Sequence, residues 1–361
     1  MISVGLIGCG EVAESGHLPT ILNSNQFRLA AVCDVDPART ELFARRAGGV
    51  PKYQDWRQLL AVERDLDAVV LALPPEISPD VVVEALRLNL AVLDEKPLAA
   101  SVAEGRRLMR AVKEHRGVYQ IGFVLRYGDW VEYIRSVAPS LGSPLQINVE
   151  VYDERLDPAD GLHFGRIQSF LRNSSAMTHE GSHVIDYVSL WNGSPWRSVS
   201  AVAQQTSNSF SGPNVWNAIV EFDDQSTLNV KVAWLLSHLP PSIVTINGPE
   251  GRLDFNCAAG NGHLEIGGVE QPISLQPLAP QWERQYREFA AAVNRGVVDR
   301  ATVDDGVRAL DVTAACELSA RLGTVITPHD LAAASGLVVE TPSLYGIPPV
   351  QPRADQPVET H

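Results

Sequence analysis

Between residues 1 and 122, five short apolar runs recur at helix-length intervals: ISVGLI, RLAAVC, DAVVLAL, LAVLD and VYQIG. Amphipathic helical segments begin near Ala13, Pro37, Pro79 and Ser101 between them. Strands apolar on both faces must be covered on both faces, and helices between successive strands supply that cover only if the strands run parallel. Residues 1–122 are therefore expected to form a doubly wound α/β domain with a parallel sheet.

After Gly122 the rhythm changes. PLQINVEVY, SVSAVAQQ, VWNAIVEF, STLNVKVAW and SIVTING alternate apolar and polar residues, with DDQS and GPEG as turn signals. Alternation of period two predicts an open, mostly antiparallel sheet with one exposed face, hence an α+β domain over 123–335. Two helices are expected late in it, QWERQYREFAAAVNR and one that opens at a Thr302/Asp305 capping arrangement. The polar, proline-rich segment 342–361 reads as an extended tail.

Composition narrows the function. A formal net charge of −14 over 361 residues gives a surface that repels phosphate backbones and anionic headgroups, so nucleic acid and membrane surfaces are not expected partners. The four cysteines stand apart at 9, 33, 257 and 316 without C-x-x-C spacing, as in a cytoplasmic protein with reduced thiols. The N-terminus enters a strand directly with no signal-like segment, and no apolar run has the length of a membrane helix.

The first motif lies at the end of the first strand. Gly8, Gly10 and Ala13 fit G-x-G-x-x-G/A: a glycine for the tight turn, a glycine for close approach to a pyrophosphate, and a small residue for packing helix on strand. The second strand ends in Asp34, 24 residues after Gly10, where a carboxylate can accept from ribose hydroxyls and repel a 2′-phosphate. NAD is thus expected over NADP, with Gly8, Gly10, Glu11, Val12, Asp34, Leu73, Pro74, Glu95 and Lys96 as cofactor contacts.

The second motif is HEGSH, residues 179–183, which formally matches the H-E-x-x-H zinc pattern. Its surroundings argue against zinc. Asp186 and Ser189 occupy the places where the metzincin extension carries Gly and His. After Trp191 the chain turns at NGSP, leaving no downstream helical glutamate for a third ligand. No metal is expected, and a zinc hydrolase is the remote alternative.

Taken in order, G-x-G-x-x-A, DAVVLALPPEISPDVVVEAL, LAVLDEKPLA, the histidine-bearing segment 179–191, GPEGRLDF and VDDGVRALDVTAACELSARLG resemble the Gfo/Idh/MocA oxidoreductases, the glucose-fructose oxidoreductase and inositol dehydrogenase family, over about residues 1–330. The resemblance implies a Rossmann domain, a second domain whose open sheet commonly forms homodimers or homotetramers, a nicotinamide cofactor, and a sugar or polyol substrate in the interdomain cleft. It maps the family's E-K-P lysine to Lys96, a polarising group, and its catalytic histidine to His183, an acid/base. The aspartate usual four residues before that histidine is His179 here, with Glu180 as a conceivable substitute. The family's glycine-rich run is Asn173-Ser174-Ser175-Ala176. Arg126, Tyr127 and Tyr152 are placed along the cleft, and Asp186 either braces the helix or touches ligand. The competing class is a member of the same fold that senses NAD or uses it for hydrolysis or elimination.

Overall fold

The computed structural model describes residues 1–157, 159–275 and 278–336. Its first sheet contains β1 (Ile2–Ile7), β2 (Phe27–Cys33), β3 (Lys52–Tyr53), β4 (Ala68–Leu71), β5 (Ala91–Asp94) and β6 (Tyr119–Ile121), in the order β3-β2-β1-β4-β5-β6. Every pairing in it is parallel. The chain builds outward from β1 in one direction and then in the other, so the switch point lies between β1 and β4, where ligands bind doubly wound sheets. The five expected strands are all present. The two-residue β3 and the helix Trp56–Val62 are additions, the strand being too short to leave a periodic signal.

All six residues of β1 are buried, as a strand covered on both sides requires. On one side Val4 and Leu6 join Leu18, Phe27, Tyr286 and Phe289. On the other, Ile7, Leu71 and Val92 belong to a core that runs on through Val149, Val184, Val230 and Leu310 into the second half of the molecule. Local signals place the surrounding helices. Pro37–Arg46 starts at Asp36, whose side chain accepts from the Ala38 amide, has Pro37 in its first turn, and ends in Arg45 and Arg46 against the negative end of the helix dipole.

The second sheet has eight strands, β7 (Gln146–Tyr152), β8 (Trp196–Gln204), β9 (Val215–Phe222), β10 (Thr227–Ala233), β11 (Ile243–Gly248), β12 (Gly251–Asn256), β13 (Asn261–Ile266) and β14 (Val269–Ser274). Their order is β14-β13-β12-β11-β7-β10-β9-β8, antiparallel except for the parallel pair β7 and β10. The last three strands extend the sheet beyond those expected. β13 buries only Leu264 and β14 only Ile273, so alternation is faint at this edge.

Two late helices tie the halves together. Gln281–Arg295 returns to the first sheet and supplies Tyr286, Phe289 and Ala290 to its core. Val303–Leu322 begins with the expected capping box at Thr302 and Asp305. A second capping box, Thr327 with Asp330, opens an unforeseen helix Pro328–Ala334. The segment 342–361 lies outside the described residues. Among the described residues no helix is long and apolar enough to cross a membrane.

Candidate active site

The loop after β1 is shaped by its two glycines. Gly8 has φ +95°, and a Cβ there would lie 2.1 Å from the Ala72 carbonyl oxygen, so only glycine fits against the end of β4. At Gly10 a Cβ would meet nothing closer than Arg39 Nη1, 3.7 Å away. Packing within the protein does not demand that glycine; it leaves bare backbone on the outer side of the loop. Glu11 and Val12 follow, both exposed, and Ala13 is buried where the helix rests on the sheet.

Asp34 is fixed beside this loop. Its carboxylate accepts from the Cys9 amide at 2.7 Å and the Asp36 amide at 2.9 Å, lashing the glycine turn to the end of β2. The helix cap that follows is Asp36, not Asp34, so capping does not account for Asp34. Leu73, half-buried, and Pro74, exposed, continue from β4 next to Gly8. Bare loop backbone, a helix N-terminus and a strand-end carboxylate together fit a dinucleotide.

Two strands along, β5 ends in Asp94, which is fully buried and accepts from the hydroxyls of Ser78 and, at 3.0 Å, Tyr119. Burial pushes its carboxyl up to about 7 despite these donors. Glu95 turns inward, its Oε1 3.1 Å from His17 Nε2, while His17 Nδ1 lies 2.8 Å from the Tyr286 hydroxyl. No sequence signal joined these three, because Glu95 and Tyr286 stand 78 and 269 positions further along the chain than His17. Lys96 points the other way. Its Nζ donates to the main-chain oxygen of His179 at 3.1 Å, joining the strand end to the histidine segment.

That segment begins with a wide π-helical turn, Met177–Gly181, and continues as the helix Ser182–Asn192. His183 is 7% exposed, and its Nδ1 is buried without a hydrogen-bond partner. Phe123 meets its ring edge-on, 6.1 Å between centroids. His179 lies between the rings of Phe170 and Trp234, at 5.0 and 5.4 Å. Burial, and then the positive charge of Lys96, drive both imidazoles toward the neutral form: His179 to about 3 and His183 well below the usual histidine range. Glu180 is pushed up by burial, with Lys96 opposing the shift and Asp153 and Glu154 adding to it.

Lys96, His179 and His183 are thus gathered in one place, whereas Arg126, Tyr127 and Tyr152 are engaged with other parts of the protein. Arg126 is 2% exposed; its guanidinium makes two bonds to Asp186 and one, at 3.3 Å, to Asp305. A side chain spent on buried carboxylates cannot line a cleft, and Asp186 braces the helix through it. Tyr127 is likewise buried. By strand parity Ile147 and Val149 of β7 face the core, whereas Tyr152 shares the opposite face with Glu150, to which its hydroxyl donates, and with Lys231 of β10, 5.4 Å from its ring. It lies on the open face of the second sheet. Among the described residues no group of three or more His, Cys, Asp or Glu is arranged to hold a metal, so HEGSH lacks a third ligand.

Two family models match the chain: the NAD-binding Rossmann fold of the GFO_IDH_MocA oxidoreductase family over residues 2–123, and the C-terminal alpha/beta domain of the same family over residues 140–327. An inositol 2-dehydrogenase from Acidothermus cellulolyticus is 26% identical, covering 90% of this chain and 94% of that protein. A D-apiose dehydrogenase from Paraburkholderia graminis is 24% identical, covering 94% and 92%. In three dimensions, an oxidoreductase from Agrobacterium radiobacter, solved with NAD+, L-tartaric acid and magnesium, superposes with a TM-score of 0.79 at 17% identity, covering 91% of this chain and 98% of that one.

Proposed function

Since the chain belongs to the Gfo/Idh/MocA family of NAD-binding oxidoreductases, we propose that it moves a hydride between NAD and a hydroxyl-bearing carbon of a sugar, inositol or related polyol. The observation that carries this reading is the contact between Lys96 Nζ and the His179 main-chain oxygen, which gathers the lysine and both histidines at the end of β5. A sensor of the same fold would not need that assembly. The names of the relatives from Acidothermus and Paraburkholderia support a polyol or sugar as substrate class.

Gly8, Gly10, Glu11 and Val12 would hold the cofactor diphosphate through the loop backbone and helix N-terminus. Asp34 would accept from the adenosine ribose, with Leu73 and Pro74 beside it and Glu95 and Lys96 toward the nicotinamide. When bound, the nicotinamide supplies the hydride acceptor or donor. Residues 1–122 form the cofactor unit and 123–335 the substrate unit, in which the uncovered face of the second sheet pairs copies of the chain.

The chain's own residues do the proton work. His183 is neutral and its Nδ1 has no protein partner, so the imidazole can take the substrate hydroxyl proton as hydride leaves the same carbon. The Lys96 ammonium would offset the charge of the oxygen that becomes anionic. In reduction a proton must first be loaded onto His183, which burial and Lys96 disfavour, before the imidazolium passes it to the forming hydroxyl. His179, pinned between Phe170 and Trp234 and also neutral, offers an aromatic wall and a hydrogen-bonding edge in place of a carboxylate.

The test is to mix the protein and NAD with a panel of inositols and aldoses, and the reduced cofactor with keto sugars, while following nicotinamide absorbance. Turnover with at least one polyol or sugar is expected. Absence of turnover across both panels, with NAD binding intact, overturns the proposal.

A further inference from the structure

Arg166 links the second half of the molecule to the glycine loop. It belongs to the helix Gly161–Asn173, which is capped at Asp160, and its Nη1 pairs with the carboxylate of Glu11 across 155 positions of sequence. Its Nη2 stands 3.2 Å from Glu154 Oε2 and 3.2 Å from His163 Nδ1, while His163 Nε2 reaches the Glu154 carboxylate at 3.4 Å. The guanidinium also lies over the Phe170 ring, 5.9 Å from its centroid. The result is a ladder of polar side chains, Glu11, Arg166, Glu154 and His163, beside the glycine loop.

As a brace this ladder is weak. The Arg166 and Glu11 side chains are 35% and 63% exposed, and ion pairs so open to solvent contribute little to stability. As part of a binding site it resolves a conflict. Glu11 puts a negative charge on the loop that must receive a diphosphate, and like charges at that range repel unless a cation is shared between them. A guanidinium has five N–H donors in a planar fork, of which Glu11, Glu154 and His163 occupy only part, and it matches phosphate oxygens well.

We propose that Arg166 is a diphosphate-binding residue of the cofactor site, supplied by the second half of the chain. It neutralises Glu11 in the free protein and is shared between Glu11 and the diphosphate when NAD is seated. The inference rests on the placement of the diphosphate at the Gly8–Val12 loop proposed above.

The two ends of the ladder then have opposite effects on affinity, which a mere brace cannot produce. Dissociation constants for NAD, ADP-ribose and adenosine are measured by calorimetry for wild type, Arg166→Gln, Glu11→Gln, the double variant and Gly10→Val. Arg166→Gln raises the constants for NAD and ADP-ribose roughly three- to tenfold, leaves adenosine unchanged, and leaves the thermal midpoint of the free protein near wild type. Glu11→Gln alone does not weaken NAD binding, and added to Arg166→Gln it recovers part of the loss. The inference is overturned if Arg166→Gln has no effect, if adenosine weakens equally, or if Glu11→Gln weakens NAD as much as Arg166→Gln with no further loss in the double variant. If Gly10→Val leaves NAD binding intact, the loop placement fails and takes the inference with it; if Gly10→Val weakens NAD while Arg166→Gln does not, the inference alone fails.

Discussion

His183 and Asp186 stand three positions apart on one helix, both buried, in opposite electrostatic states. Asp186 is held by a guanidinium that also reaches Asp305, and Arg308 supplies Asp305 with a second cation at 3.1 Å, so each charge there has its counter-charge. Around His183 the pairing is incomplete: among the described residues its Nδ1 has no hydrogen-bond partner, and the Lys96 ammonium donates to a main-chain oxygen rather than a carboxylate. Burial of unpaired polar groups costs free energy that packing elsewhere must offset, so such groups mark places kept for something other than stability. The contrast separates a brace from the proposed reaction centre within about one turn of helix.

Breaking the brace gives the largest effect. Arg126→Met strands Asp186 as an uncompensated buried charge and is expected to lower the unfolding free energy by about 3–5 kcal/mol in urea titrations. A loss under about 1 kcal/mol would mean that the ion pair barely offsets its own desolvation. Breaking the other side leaves the fold intact: Lys96→Met lowers turnover by about a hundredfold or more, roughly 3 kcal/mol in the barrier, with NAD affinity near wild type. Turnover within about threefold of wild type removes Lys96 from the chemistry.

Smaller effects sharpen the contrast. Asp34→Ala is expected to weaken NAD about tenfold and to narrow the preference over NADP, read from the two dissociation constants. Unchanged constants would leave Asp34 as a tie between Cys9 and Asp36 only. The pH dependence is gentler still. Because the folded-state pKa of His183 is depressed, its base form persists on the acid side of the ordinary histidine range. The oxidation kcat/KM is therefore expected to show no loss of base form centred on the ordinary histidine value. A fall of about tenfold with a midpoint near 6.5 would mean that the imidazole is solvated and ordinary.

The sequence made the first sheet readable because strands buried on both faces cannot be mistaken for amphipathic helices, and because the glycine loop, Asp34 and the Thr302 capping box are local patterns. β13 and β14 each bury a single side chain and carry almost no alternation. The helix Pro328–Ala334 was legible in principle, since Thr327 and Asp330 repeat the spacing of Thr302 and Asp305. Tyr152 was legible too, its parity with Glu150 pointing away from the core side of β7. Arg126 was not: its partners lie 60 and 179 positions away, and only the folded chain brings them together. The same holds for His17 with Glu95 and for Arg166 with Glu11.

The question raised by HEGSH ends at its second histidine. His183→Asn, which keeps a polar side chain of smaller size, is to be assayed for turnover, NAD dissociation constant and thermal midpoint on one preparation. Turnover reduced about a hundredfold or more, with NAD affinity and midpoint near wild type, is the predicted result. Retained turnover with a lowered midpoint would contradict the account and make His183 part of the packing.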